Sequence, residues 1–257
     1  MEFKYWNIYK TFFWDVVTSQ SFPLFVLYII LTSVCYKWKK VCGPLSFPKV
    51  YSSLTKNFRS RHLHMIIILQ VLFVYNIAIS LVNVICFLGF VNCLWRSDSL
   101  YDKKPDPLLK QVYFVYWMTK IVELSDTLFM ILKHKFRQVS PLHVYHHATM
   151  LILSEMGYRK YAWASFAMPL TLNALVHVVL YLYYGLTAVG IQPGWKKKLT
   201  EMQIIQFLID LVHGFVGFAK HNFCSWAILY AVSMIYLFGS FYYRTYVASP
   251  KDTKKRI

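Results

Sequence analysis

Seven stretches of the chain are apolar enough to be read as helices crossing a bilayer: residues 22–36, 63–91, 112–132, 142–157, 163–189, 199–219 and 226–247. A spanning helix needs about 20 mostly apolar residues, so 22–36 is short for one, while 63–91 has length to tilt or protrude. The stretches 112–132 and 199–219 carry more polar positions than a helix surrounded by lipid tolerates. The predicted fold is an all-α integral membrane protein with seven transmembrane helices. Residues 1–257 form a single membrane domain whose last part, 248–257, is a basic tail. Only the connections 37–62 and 92–111 are long, and neither has room for a domain of its own.

Composition agrees with this pattern. The chain is 57% hydrophobic and 15% charged, whereas soluble domains run about 45–50% and about 25%. That excess excludes a disordered chain, and five scattered Cys in 257 residues exclude a disulfide scaffold. A net charge of +17 would point to nucleic acid in a soluble protein. Here the basic residues gather in alternate connections: Lys37, Lys39, Lys40, Lys49, Lys56, Arg59 and Arg61; then Lys133, Lys135 and Arg137; then Lys196–Lys198; then Lys251, Lys254, Lys255 and Arg256. The connections between them are balanced by Asp98, Asp102 and Asp106, or hold one or two cations. The alternation predicts an N terminus in the lumen or outside, a C terminus in the cytosol, and no nucleic-acid partner. Residues 1–21 include Lys4, Lys10, Asp15 and Gln20 and lack the apolar core of a signal peptide. Lys254-Lys255, just before the last two residues, resembles the dilysine signal of endoplasmic reticulum membrane proteins.

Ionisable groups inside a span cost roughly 2.5–3.5 kcal/mol each on insertion scales, so those that this chain keeps are informative. Lys120, Glu123, Asp126 and Thr127 share one helical face, as do Asn173, His177, Tyr181 and Tyr184, and Thr200, Gln203, Gln206, Asp210 and His213. His143, His146 and His147 lie on one side of the helix between the first and second of these stretches. Four consecutive helices therefore present polar faces, and the economical arrangement turns them inward on one chamber. The chamber should open to the cytosol beside Lys196–Lys198, which suits an anionic substrate.

Three imidazoles on one face allow metal ligation or acid–base and nucleophilic chemistry. A membrane di-iron oxidase needs several His boxes, and this chain has one; a single metal on His143, His147 and His177 stays open. A seven-span receptor shares the topology, but Asp-Arg-Tyr and Asn-Pro-x-x-Tyr are missing.

Taken together, Lys120-x-x-Glu123-x-x-Asp126-Thr127, His143-x-x-His146-His147, Asn173-x-x-x-His177-x-x-Leu180-Tyr181-x-Tyr183-Tyr184 and Thr200-x-x-Gln203-x-x-Gln206 resemble the four motifs of the fatty acid elongase family, in the family's order. Leu180, where the family often has Met, conserves volume and polarity. The resemblance implies condensation of a long-chain acyl-CoA with malonyl-CoA to 3-oxoacyl-CoA, CO2 and CoA, with no metal or redox cofactor. It implies His146 as the nucleophile that takes the acyl group, His177 assisting decarboxylation or stabilising the enolate, and His143 and His147 orienting these rings. A neutral imidazole, with an ordinary pKa of about 6.5, is nucleophilic at pH 7. Lys120, Glu123, Asp126, Asn173, Tyr181, Tyr184, Gln203 and Gln206 would hold the thioester and pantetheine end, and Lys196–Lys198 the CoA phosphates. The implied architecture is a barrel of six helices in two opposed three-helix units, with the first span outside. The implied partners are the reductases and dehydratase of the elongation cycle; self-association stays open. Gln138-x-x-x-Leu142-His143-x-Tyr145-His146-His147 looks more like members that extend polyunsaturated chains, although Pro141 departs from the Phe often found there.

Overall fold

The computed structural model of the protein describes residues 2–42, 58–132 and 135–248. Lys49, Lys56 and Lys133, and the tail with Lys251, Lys254, Lys255 and Arg256, lie outside the described residues. Among the described residues there are nine α-helices and no strand: α1 (Glu2–Val17), α2 (Phe22–Cys42), α3 (Phe58–Arg96), α4 (Pro107–Glu123), α5 (Ser125–Leu132), α6 (Pro141–Arg159), α7 (Ala164–Ala188), α8 (Lys196–His221) and α9 (Trp226–Tyr242), the last running into a π turn at Tyr243–Val247.

Among the described residues, four segments are long and apolar enough to cross a membrane: Leu69–Arg96, Ala164–Ala188, Lys196–His221 and Trp226–Val247. The pair Lys10–Val17 and Phe22–Cys35, bent by 72°, makes a fifth if it counts as one span. The expected stretches 112–132 and 142–157 fall short for physical reasons. The first is two helices, broken at Leu124 without Pro or Gly. The Leu124 N–H bonds back to the Ile121 carbonyl, a tightened turn between the α4 and α5 ladders. The second, α6, carries His143, His146, His147, Glu155 and Arg159 along 19 residues.

Packing runs through adjoining pairs. α3 lies along α7 and against α4; α4 packs on α6, α7 on α8, and α8 on α9; α9 touches α6, and α2 also rests on α6. The main core is aromatic. Phe90 of α3 meets Tyr113 and Tyr116 of α4 edge-on, at 5.1 and 5.4 Å between ring centres, an arrangement the ring quadrupoles favour. Gly157 of α6 sits flush against the Tyr113 ring, where a Cβ would collide with it. A second cluster joins Phe207 of α8 to Met234 and Phe238 of α9.

Local sequence fixes the helix ends that matter. Asp106 caps α4 by accepting from the Leu108 N–H, with Pro107 at the first helical position. Ser140 caps α6 by accepting from the His143 N–H at 3.2 Å, with Pro141 next. The first His of the box therefore stands in the first turn of α6, and His146 and His147 one turn in. Within α7, Pro169 has no N–H for the Ser165 carbonyl four residues before it. His213 of α8 takes that carbonyl instead, Nε2 to oxygen at 3.1 Å, which makes Nε2 the protonated nitrogen.

Candidate active site

The polar faces meet where α4, α6 and α7 converge. Lys120 and Glu123, one turn apart on α4, are 2% and 0% exposed. The Lys120 ammonium donates to both Glu123 oxygens at 2.9 Å and to His177 Nδ1 at 3.1 Å. Its three donors are thereby used, and its charge lies 4.6 Å from the centre of the Tyr116 ring. Asn83 of α3 reaches Glu123 Oε1 at 3.4 Å. An ion pair taken out of water persists only when its remaining lone pairs and protons are satisfied, and these are.

His177 turns its other nitrogen to the His box. Its Nε2 stands 3.5 Å from His146 Nε2, across the gap between α7 and α6. One proton lies between the two atoms. His177 Nδ1 lies 3.1 Å from the Lys120 ammonium and 3.3 Å from Glu123 Oε1; with the nearer Lys120 as donor to Nδ1, the proton between the two rings is that of His177, and His146 Nε2 presents its lone pair. His146 then carries its own proton on Nδ1, a buried atom with no hydrogen-bond partner among the described residues. Phe207 closes the far side of His146 edge-on, 6.4 Å between centres. His147 lies edge-on to His146 at 5.8 Å and 4.3 Å from the His143 ring.

Other expected residues are tied to different partners. Asp126 of α5 accepts from Tyr181 of α7 at 2.5 Å and from Tyr75 of α3 at 2.9 Å. Asn173 accepts from Tyr116 at 2.6 Å. Gln206 donates to Asp210 at 3.4 Å, within α8. Tyr184 meets Tyr181 edge-on and is 38% exposed, and Gln203 is half-buried on α8. The structure therefore gathers Lys120, Glu123, His146 and His177 into one group, with His143 and His147 beside it. Asp126, Tyr181 and Asn173 brace its flanks, and Gln203 and Tyr184 stand apart from it. Lys196, Lys197 and Lys198 are exposed at the N-terminus of α8. Among the described residues, no three His, Cys, Asp or Glu side chains are arranged to hold a metal ion.

Sequence reasoning passed over Tyr28, Tyr75, Asn83 and Tyr116. Asn83 and Tyr75 left a trace, as polar positions within an otherwise apolar span. Tyr28 and Tyr116 left none, because one Tyr among Leu, Ile and Val reads as packing.

Comparison with known proteins places the site in context. The family described as ELO: GNS1/SUR4 family matches residues 16–254. Very long chain fatty acid elongase 4 of Homo sapiens is 36% identical over 203 residues, covering 72% of this chain and 64% of that protein. Very long chain fatty acid elongase 5 of Tachysurus fulvidraco is 31% identical over 201 residues, with 72% of this chain and 68% of the relative covered. Elongase 5 of Xenopus tropicalis is 30% identical over 205 residues at the same coverage. The match thus spans just under two thirds of the human relative's length.

Proposed function

The chain belongs to the ELO family, the GNS1/SUR4 family, and from that premise we propose that it catalyses the condensing step of fatty acid elongation. The observation that carries this reading is the His146–His177 pair, Nε2 to Nε2 at 3.5 Å, backed by the buried Lys120–Glu123 ion pair. His146 Nε2 attacks the thioester carbon of a long-chain acyl-CoA. The carbon–sulfur bond breaks, and the CoA thiolate leaves with the proton that His146 Nδ1 gives up. The product is an acyl-imidazole. Malonyl-CoA then loses CO2, and the His177 Nε2–H bonds the enolate oxygen that develops. The enolate carbon attacks the acyl carbonyl, the bond from that carbon to His146 Nε2 breaks, 3-oxoacyl-CoA forms, and the departing imidazolate takes one proton from solvent to return to neutral imidazole. Lys120 keeps the proton of His177 on Nε2, so it acts behind the ring rather than on the substrate. Asp126, Asn173, Tyr181, Tyr184, Gln203 and Gln206 shape the passage for the thioester and pantetheine. Lys196–Lys198 at the head of α8 receive the CoA phosphates. The sequence of steps involves no net oxidation or reduction, so the reading calls for no redox cofactor.

Seven crossings belong to the same proposal. α4, α5 and α6 cross with their polar faces turned to other helices. The packing of α3 on α4, α4 on α6, α6 on α9, α9 on α8, α8 on α7 and α7 on α3 supports a ring of six around the chamber. The basic loops put the His-box end toward the cytosol, in an endoplasmic reticulum membrane, with the reductases and dehydratase of the cycle as partners. The segment Gln138–His147 carries the preference for polyunsaturated chains.

The test is to incubate the purified full chain with a long-chain acyl-CoA and no malonyl-CoA, then measure CoA release and intact mass. One equivalent of CoA and an acyl adduct, both lost in His146→Ala, are the expected results. Condensation without any adduct would retain the activity and remove the covalent step. Absence of both would overturn the reading.

A further inference from the structure

The first span, expected outside the barrel of six, nevertheless shares a hydrogen-bond chain with the His box. Along α2 the side chains of Leu27, Ile30 and Leu31 are about half exposed, as a lipid-facing surface requires, but Tyr28 between them is 4% exposed. Its hydroxyl lies 2.8 Å from Thr127 Oγ1, and Thr127 Oγ1 lies 2.8 Å from His143 Nε2. Three helices, α2, α5 and α6, thus share one hydrogen-bond chain that ends on the His box.

The direction of the chain follows from counting protons. Were His143 Nε2–H to donate to Thr127, Thr127 would donate to Tyr28, and the phenolic proton would be left in a buried place without an acceptor. Leaving such a donor unmade costs about 1–3 kcal/mol. In the opposite direction no buried donor is left over: Tyr28 donates to Thr127, Thr127 donates to His143 Nε2, and His143 carries its own proton on Nδ1, an atom that is not among those buried without a partner in the described residues. The ring of His143 is thereby held in one tautomer, 4.3 Å from His147, which in turn flanks His146.

The placement of α2 is itself fixed at a second height. Glu155, fully buried near the far end of α6, accepts from the backbone N–H groups of Gln20 and Ser21 at 2.7 and 2.6 Å. Two free N–H groups before a helix and a carboxylate are a strong pairing, because charge and donor geometry coincide. Trp117 of α4 donates to Ser21 Oγ at 2.8 Å. Thr32, one turn beyond Tyr28, bonds to its own backbone and makes no demand on the site.

We propose that Tyr28 is a positioning residue of the active site, acting from α2 through Thr127 to fix the tautomer and orientation of His143. This rests on the condensing reading above. Its effect belongs on turnover and not on substrate affinity, since Tyr28 stands behind the His box.

The experiment compares the wild-type full chain in detergent with Tyr28→Phe, Thr127→Ser, Thr127→Val and the double variant Tyr28→Phe/Thr127→Val. Condensation of a long-chain acyl-CoA with malonyl-CoA is followed at varied acyl-CoA. Tyr28→Phe should lower kcat about three- to tenfold, the span one neutral hydrogen bond provides, with KM within about twofold. Thr127→Ser keeps the hydroxyl and should rescue, whereas Thr127→Val should not. The double variant should be no slower than Thr127→Val, because the two groups act in series. Full kcat in Tyr28→Phe, or multiplied losses in the double variant, would overturn the proposal. A second readout does not need activity: histidine 15N spectra, with His143 assigned by His143→Asn, should report an Nδ1–H tautomer in wild type that Tyr28→Phe loses. An unchanged His143 signal overturns the proposal. A silent wild type whose His143 signal still responds to Tyr28→Phe would overturn the condensing reading and leave the Tyr28 link standing.

Discussion

The state of His146 Nε2 is set by His177 and, behind it, by groups that His146 does not touch. Lys120 donates to His177, His177 donates to His146, and Glu123 offsets the charge of Lys120. Removing one half of this pair is the harsher change. Glu123→Gln leaves a buried ammonium without its counter-ion and should destabilise the chain by about 3–5 kcal/mol, read as faster thermal inactivation in detergent. Removing both charges separates stability from chemistry. Lys120→Met/Glu123→Leu should recover most of that loss, yet turn over far more slowly, because nothing then holds the proton of His177 on Nε2. Recovery of both would show that the pair serves packing alone. At this scale the sequence was informative about residue type and face. The one-sided His box and the His177 stripe could be read from their spacing of three and four. Which of the three imidazoles meets His177 depends on the rotation of α6 against α7, and no spacing within one helix reports it. The same limit hid His177 as a neighbour of Lys120 and Glu123.

Elements were legible where periodicity and caps agreed, and obscure where a helix is held from outside. Ser140-Pro141 and Asp106-Pro107 announce the starts of α6 and α4. The break at Leu124 has no Pro or Gly to announce it, and α1 was hidden among mixed residues. Glu155, four residues before Arg159 and 3.4 Å from it, gave no sign in the sequence of its role as the buried anchor of α2. Two helix contacts yield predictions. Gly157→Ala would gain about 1 kcal/mol of helix propensity, but its Cβ meets the ring of fully buried Tyr113, and such overpacking costs about 1–3 kcal/mol. The net change should be a lowered melting temperature, restored by Gly157→Ala/Tyr113→Leu. The His213–Ser165 bond replaces the one that Pro169 cannot make. His213→Leu should therefore destabilise the chain by about 1–3 kcal/mol by orphaning a buried carbonyl. In a Pro169→Ala background, where the helix supplies its own N–H, the same substitution should cost clearly less; equal losses would break the link.

For the molecule as a whole, the alternating basic loops predict an orientation that chemistry can check. Asp98 and Gln138 are both exposed and lie in consecutive connections. In a chain freed of its native Cys and held in sealed microsomes, Gln138→Cys should react with a membrane-impermeant maleimide, and Asp98→Cys only after the membrane is opened. The reverse pattern would turn the chamber to the lumen. Overall class was plain from composition, because an apolar excess of this size has one common home. The count of crossings was harder, since the helices that carry the chemistry are the least apolar. That last feature bears on how the protein is made. Emerging from the ribosome, α4 through α6 present Lys120, Glu123, Asp126 and three imidazoles before α7 exists to cover them. α3, the strongly apolar segment already synthesised, can shelter only part of that face. These helices therefore bury their polar groups fully only once α7 brings His177 against Lys120, Glu123 and His146.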